Sequence, residues 1–359
     1  MKTYRAAVIG CSRMGAFIDN EVPDYQAIPL PYSHAAGFYA EERTDLVACS
    51  DLRPDVMEVF GERYDVPKER QYTDYRELID KENLDIVSVA TQPEHRAEVV
   101  IHAVEHGVEA IYAEKAMAAS MDEADAMVEA VERNGAFFNL GTNRRWHTGF
   151  DKMKEVIDSG ELGALKTLII YGNGSLFNGS SHQFDLILRL NSDHRALWAS
   201  AHITDDDSIF EGDIVREDPN GHGMIQFENG VTTHALLSPR GSEWEAICER
   251  GTVTCWNNGW QWHIRRQADV PGWRSCFVPE PFPEFEHNSS TANLIKDLVH
   301  SLDTGQPSRC GVRVAHASTE LIFAFMESHL QNGARVQLPL KGSKLRLERD
   351  RSPRQPRFK

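Results

Sequence analysis

Short, largely apolar runs mark the first third of the chain, at residues 6–9, 46–49, 86–90 and 108–113. None of them alternates apolar with polar positions, which is the pattern of parallel strands covered on both faces. Segments of helical spacing lie between them. One is expected from about 95 to 106 and stops at Gly107. Another begins at Ser120, with Glu123 three residues on to complete a capping box, and ends near Gly135, a residue suited to the left-handed position after a helix. Residues 137–140 then read as a further strand. Strand and helix in alternation predict an α/β domain over residues 1–142 built on a parallel sheet.

The pattern changes from about residue 143. Helical spacing over 151–157 and 182–190 is mixed with strand-like runs at 165–171, 223–228, 231–237, 245–249 and 252–256. Asn229-Gly230 between two of these runs is a hairpin signal. Strands joined by turns imply an antiparallel sheet, so residues 143–342 read as an α+β domain. Late helices are expected at 291–302 and 314–330. Residues 343–359 are charged and proline-containing and read as a mobile tail.

Gly10-Cys11-Ser12-Arg13-Met14-Gly15 follows the first strand and should open a helix. It fits G-x-G-x-x-G except for Ser12 at the middle glycine. Gly10 permits the tight turn, the small Ser12 leaves room for a pyrophosphate, and Gly15 allows close packing of helix on strand. Arg13 and Met14 would present their backbone there. Asp51, at the end of the second strand, suits the hydroxyls of an adenosine ribose and favours NAD; Arg53 is close enough to serve a 2′-phosphate, which keeps NADP open. The spacing from the glycine turn to Asp51 is longer than usual because of residues 17–33, which hold Pro23, Pro29, Pro31, Tyr25 and Tyr32. That insertion reads equally as a flap over the cofactor or substrate and as a surface excursion or subunit contact. Lys115 follows Glu114 at the end of the fourth strand, the edge where ligands sit in such sheets. From spacing alone it is either a site cation or a solvated charge.

Composition narrows the classes. With 359 residues the chain is long enough for two domains, and a formal net charge of −16 argues against nucleic acid or an anionic membrane as the main partner. The six cysteines, at 11, 49, 248, 255, 276 and 310, form neither a C-x-x-C pair nor a zinc-type spacing, as expected of reduced thiols in a cytoplasmic protein. No apolar signal region precedes the first strand, and no run approaches the ~20 apolar residues of a membrane span.

Ala90-Thr91-Gln92-Pro93-Glu94-His95, Ala113-Glu114-Lys115-Ala116 and Asn143-Arg144-Arg145-Trp146 together resemble the glucose–fructose oxidoreductase/inositol dehydrogenase (Gfo/Idh/MocA) family. The resemblance continues through Gly160-Glu161-Leu162-Gly163, Gly179-Ser180-Ser181-His182-Gln183-Phe184-Asp185 and residues 320–339. It implies a Rossmann dinucleotide-binding domain followed by an α+β domain with a large, open, mainly antiparallel sheet, and assembly as a homodimer or homotetramer. It implies NAD(P)-dependent oxidation or reduction of a sugar, cyclitol or related polyol. Lys115 matches the lysine of the family's E-K-P motif and His182 the histidine of its D-x-x-x-H motif. Asn178 stands where that motif has aspartate, and Ala116 where the first has proline. Thr91, Gln92, His95, Glu114 and Arg144 match the cofactor side.

Oxidation of a secondary alcohol leaves an oxygen that must lose its proton. A histidine, with an ordinary pKa near ~6.5, is a suitable acceptor, and a lysine stabilises the negative charge that develops. These are the roles expected of His182 and Lys115. Asn178 cannot take a proton as a carboxylate can, but it can position a hydroxyl or the histidine. Asp185, three residues beyond His182, shares its helix face and could position substrate or histidine. His95 suits helix capping or cofactor-site packing. His102 and His106 have metal-compatible i, i+4 spacing, but the sequence supplies no evident third ligand, so they read as helix surface and no metal is expected. Asp205, Asp206 and Asp207 read as a solvated turn. Trp256, Trp260, Trp262 and Trp273 suit either stacking on a sugar face or strand packing. Two alternatives remain beside a dehydrogenase: redox-assisted cleavage or epimerisation with retained NAD, and a non-catalytic dinucleotide-binding regulator.

Overall fold

The computed structural model describes residues 1–25, 27–172, 174–272, 274–350 and 356–358. The chain forms two compact units, one of residues 1–146, 288–316 and 346–359, the other of residues 147–287 and 317–345.

The first unit is built on six strands: β1 (Tyr4–Ile9), β2 (Thr44–Ser50), β3 (Gln71–Tyr72), β4 (Ile86–Val89), β5 (Ala110–Ala113) and β6 (Phe137–Leu140). They pair in the order β3-β2-β1-β4-β5-β6, all parallel. The buried face-to-face runs are the apolar segments of the sequence; β4 and β5 have no exposed residue. Helices α1 (His34–Ala40), α2 (Pro54–Tyr64), α3 (Tyr75–Glu82), α4 (Pro93–Glu105) and α5 (Met121–Asn134) connect them. The Ser120 hydroxyl accepts the Glu123 N–H, and Gly135 closes α5 at φ 65°, as the capping signals predict. The strand order reverses between β1 and β4, which creates the crevice where dinucleotides bind in this architecture.

The second unit contains α6 (Thr148–Asp158), α7 (Ser181–Leu190) and most of a long helix described below. Its strands are β7 (Leu165–Tyr171), β8 (Ala196–Ile203), β9 (Phe210–Glu211), β10 (Ile214–Val215), β11 (Gly221–Phe227), β12 (Thr232–Leu236), β13 (Glu243–Cys248), β14 (Gly251–Trp256), β15 (Gln261–Ala268), β16 (Cys276–Glu280) and β17 (Val336–Gln337). Nine of them form an open sheet in the order β16-β15-β14-β13-β7-β12-β11-β8-β17. Every pair is antiparallel except β7–β12. Asn229-Gly230 turns β11 into β12, with Gly230 at φ 87°. Phe150 meets Trp244 and Trp262 edge-on at 5.1 and 4.9 Å, and Trp262 stacks on Phe282 at 5.2 Å. Trp262 therefore serves packing; Trp273 lies outside the described residues. Asp205, Asp206 and Asp207 hold Asn220, Ser208 and His329, which fixes the turn they form.

A division at residue 142 with a contiguous second domain differs from the observed units. Helix α8 (Ser290–Thr304) returns to the first unit and buries Leu294, Ile295 and Leu298 there. The anchor is polar as well as apolar. Asn139 on β6 donates to Asp297 at 2.9 Å and accepts the Cys310 N–H at 3.0 Å, and the Ser308 hydroxyl donates to the Phe138 carbonyl at 2.7 Å. Gly37 on α1 allows this approach, since a Cβ there would lie 2.7 Å from Thr291 and Ile295. Helix α9 (Val312–Leu330) begins in the first unit and continues into the second, where Phe323 and Phe325 pack on Phe177 and Phe184.

The expected mobile tail is a correction. Leu347 is fully buried, its N–H donates to the Ala119 carbonyl at 2.8 Å, and Phe358 meets Phe17 edge-on at 5.0 Å. Arg349 grips Glu94 on α4 with two hydrogen bonds of 2.7 and 3.0 Å, its side chain only 8% exposed. Residues 351–355 and 359 lie outside the described residues. Burial opposes ionisation of Glu94, but the hydrogen bond and charge of Arg349 outweigh it and hold the carboxyl below its ordinary value of 4.5. Because the folded-state pKa is depressed, this stabilisation is complete at neutral pH and fades as pH falls through the acid range below about 4.5. Arg349→Ala should cost about 1.5–3 kcal/mol in urea unfolding at pH 7, and the difference from wild type should shrink toward pH 3. Equal midpoints at pH 7 would show that the segment is not anchored in this way.

Candidate active site

The carboxyl ends of β1, β4, β5 and β6 are locked in line. Ala90 N–H donates to Ile9 O at 2.8 Å, Glu114 N–H to Val89 O at 2.9 Å, and Gly141 N–H to Ala113 O at 2.7 Å. Almost all the residues expected on the cofactor side lie along this edge.

Gly10 leaves β1 at φ 94°, and a Cβ there would sit 2.9 Å from the Ala90 carbonyl. A Cβ on Gly15 would come within 1.8 Å of Gly10 O. Both positions admit only glycine without moving backbone. The turn opens one wide helical turn, Arg13–Phe17, rather than the full helix expected; the chain then passes through a short turn, Ile18–Glu21, before α1 resumes at His34. Asp51 faces this turn. One carboxylate oxygen accepts the Cys11 N–H at 2.9 Å and the other the Arg53 N–H at 3.0 Å. The Arg53 guanidinium reaches both Asp51 and the Ser12 hydroxyl. The Arg13 side chain pairs with Glu21 at 2.8 Å, which leaves its backbone, with that of Met14, as its contribution to the turn. At the β1/β4 crevice, the Thr91 hydroxyl is shielded from solvent without a hydrogen-bond partner, a polar atom that a ligand would satisfy.

Glu114 is buried, at 4% exposure, directly before Lys115. Its carboxylate accepts the Lys115 N–H at 3.0 Å and meets His34 Nε2 at 3.2 Å. His34, fully buried, places Nδ1 2.6 Å from the Ser88 hydroxyl and stacks on Tyr112 at 3.7 Å. Burial opposes the Glu114 charge, yet His34, Lys115 and Arg96 together hold its pKa below the usual carboxylate range. Arg96 is also buried, which brings its own pKa down to about 10, and it donates to the Thr91 and Ala116 carbonyls. Arg96 thus ties the ends of β4 and β5 together, with Lys115 half-buried beside it. The Lys115–Ala116 peptide is cis.

Gln92 immediately precedes α4 and accepts from Arg349 at 3.2 Å, while His95 is exposed on the first turn of α4. Arg144 sits on the short turn Asn143–Trp146 after β6. The insertion 17–33 is folded onto this unit: Asp19 accepts the Tyr32 and Ser33 N–H groups at 2.8 and 3.0 Å, and Thr291 donates to the Tyr32 carbonyl at 2.8 Å. Tyr32 lies within the electrostatic reach of Arg144 and Glu114; burial first, and Glu114, push its phenol upward. The end of the insertion therefore borders the site. Of Tyr32, His34, Ser88 and Arg96, only Tyr32, within the insertion, was singled out by the sequence; the other three carry no motif.

In the second unit, Asn178 lies on the turn Leu176–Ser180 and is exposed. Asp218 accepts the Phe177 and Asn178 N–H groups at 2.8 and 2.9 Å and so fixes the turn. His182 is half-buried on the first turn of α7, one helical turn after Asn178. Asp185 shares that face and has no exposed surface.

A glycine cradle, an acidic residue after β2 and a half-buried lysine at the switch of a parallel sheet are the features of a dinucleotide-binding domain. Residues 4–142 match the family described as "Oxidoreductase family, NAD-binding Rossmann fold". Over these residues the chain is similar to the Gfo/Idh/MocA family that its motifs resemble. It is 25% identical over 224 residues to a 1-carboxy-3-chloro-3,4-dihydroxycyclohexa-1,5-diene dehydrogenase of Comamonas testosteroni, covering 56% of this chain and 53% of that one. It is 28% identical over 159 residues to the myo-inositol 2-dehydrogenase of Thermotoga maritima, covering 44% and 42%. The chain thus spans about half the length of these curated relatives. The aldose-aldose oxidoreductase of Caulobacter crescentus has the same fold, with a TM-score of 0.74 over 94% of this chain and 100% of that one at 19% identity.

His34→Ala removes one partner of a buried carboxylate. It should destabilise the chain by about 1–3 kcal/mol at pH 7 in urea unfolding, whereas a neutral result would mean that Glu114 is solvated in the folded protein.

Proposed function

We propose that the chain is an NAD-dependent dehydrogenase that moves hydride between nicotinamide and a secondary alcohol or ketone of a sugar, cyclitol or related polyol. The observation that carries this reading is Lys115, held by the buried Glu114–His34 pair at the carboxyl edge of the sheet that also bears the Gly10–Gly15 cradle and Asp51. The two curated relatives, dehydrogenases of a dihydroxycyclohexadiene and of an inositol, support a ring-bearing diol or polyol as substrate.

NAD, when bound, supplies the hydride acceptor. The backbone from Gly10 to Gly15, with Ser12, Arg13 and Met14, would receive the pyrophosphate, and Asp51 the adenosine ribose. Asp51 retains lone pairs beyond its bonds to Cys11 and Arg53, so it can accept ribose hydroxyls. A 2′-phosphate would meet that carboxylate, which favours NAD over NADP, while Arg53 leaves NADP usable. Thr91, Gln92, Glu114 and Arg144 line the remaining edge, with His95 packing at its rim.

In oxidation, the C–H bond of the alcohol carbon yields its electron pair as hydride, and the hydroxyl proton passes to His182. The Lys115 ammonium stabilises the alkoxide character that develops on the same oxygen. Asn178 donates or accepts a hydrogen bond to a substrate hydroxyl, and Asp185 holds His182. In reduction, His182 returns the proton. Assembly as a homodimer or homotetramer belongs to the same reading. No helix among the described residues is long and apolar enough to cross a membrane.

The test is an NADH absorbance screen over sugars, cyclitols, sugar acids and nucleotide sugars. Lys115→Ala and His182→Ala should each lower kcat/KM by about 10²–10⁴-fold on the active substrate and leave NAD binding in place for His182→Ala. Undiminished turnover in both variants would remove the catalytic assignment. Tightly retained NAD without net NADH formation would replace a dehydrogenase by a redox-assisted cleavage or epimerisation.

A further inference from the structure

The pair His102 and His106, expected to be plain helix surface, acquires a third partner in the structure. Asp80 on α3 brings a carboxylate beside the carboxyl end of α4, and one ligand atom from each of Asp80, His102 and His106 lies within 4.8 Å of the other two. The sequence could not show this, because Asp80 is 22 residues from the nearer histidine and joins it only through the packing of α3 on α4.

We propose that Asp80, His102 and His106 form a binding site for a divalent first-row transition ion of the zinc class, clamping α3 to α4. Two imidazoles and one carboxylate are a borderline-soft donor set that suits Zn²⁺ or Co²⁺ and is a poor match for Ca²⁺ or Mg²⁺. His106 Nδ1 lies 2.7 Å from the His102 carbonyl, which can only accept. Nδ1 of neutral His106 therefore carries the proton, and the lone pair is on Nε2, the arrangement that backbone carbonyls impose on metal-bound histidines. His102 Nε2 is shielded from solvent with no hydrogen-bond partner, an unsatisfied polar atom on the same ring. Arg76, whose charge reaches His102, is held by Asp74 and Glu98 at 3.8 and 3.7 Å.

The two rings now stack at 3.8 Å. A tetrahedral ion with bonds near 2.1 Å needs its ligand atoms about 3.4 Å apart, so atoms within 4.8 Å of one another close by at most about 1.4 Å, a movement open to the exposed Asp80 side chain. Beside the cluster, a surface cleft lined by Asp80, Asp85, His106 and Glu109 leaves room for water as the fourth ligand. The site lies at the end of α4 remote from Gln92, about 20 Å along the helix at 1.5 Å per residue. It is separate from the cofactor edge, and its consequence is structural: the ion joins two helices flanking β4.

The test uses the untagged full chain after chelator treatment. Equilibrium dialysis against Zn²⁺ should give one ion per chain, Co²⁺ should give the visible absorption of a tetrahedral site, and Zn²⁺ should raise Tm. His102→Gln, His106→Gln and Asp80→Asn should each weaken Zn²⁺ binding at least tenfold and abolish the Co²⁺ band; metal-free Tm close to wild type identifies these variants as folded. Absence of stoichiometric binding, or equal affinity in wild type and all three variants, would overturn the proposal.

Discussion

The first unit depends on the close approach of backbone at Gly10 and Gly15. A side chain at either position would collide with the Ala90 carbonyl or with Gly10 itself, so the end of β1, the turn and the start of β4's connection form a single joint. Asp51 completes the joint from β2 by accepting the Cys11 N–H. What the joint creates is a tight backbone turn beside one carboxylate, at the point where strand order reverses. Phosphate and ribose chemistry both require that combination, and neither requires a particular side chain from the residues between the glycines. Ser12 in place of a middle glycine is therefore compatible with the turn, the more so because its hydroxyl is taken up by Arg53.

A second constraint orders the chemistry. A carboxylate as buried as Glu114 persists in charged form only where donors and cations surround it. Here these are the Lys115 backbone, His34 and the field of Arg96. Lys115 is thus attached to a rigid electrostatic platform instead of hanging from a loop. The insertion after the glycine turn delivers His34 into that platform and sets Tyr32 beside it, which explains why the excursion is firmly bonded at Asp19, Pro31 and Thr291. In the second unit, Asp218 performs an analogous service for the turn that carries Asn178.

Features written in local pattern were legible in the sequence: the apolar parallel strands, the capping box at Ser120, the Asn229-Gly230 hairpin, the glycine turn and Asp51. Short or polar strands such as β3, β15 and β16 were not, because they are defined by their neighbours' hydrogen bonds and carry weak apolar signal. The return of α8 and of residues 346–350 to the first unit was also invisible. It rests on pairings such as Asn139 with Asp297 and Glu94 with Arg349, between residues more than 150 positions apart. A charged, proline-containing terminus has the composition of a loose tail, and only its partners reveal that it is strapped down. His34 and Asp80 were missed for the same reason: each has a role only through residues that folding brings to it.

The Gly10–Gly15 joint with Asp51 is the proposed NAD site. Calorimetric titration of the wild-type chain and Asp51→Ala with NAD and with NADP tests it most directly. Saturable 1:1 NAD binding is predicted, with NADP at least tenfold weaker, and Asp51→Ala should weaken NAD and close the gap between the two cofactors. Failure of the wild-type chain to bind NAD, or an unchanged preference in Asp51→Ala, would contradict it.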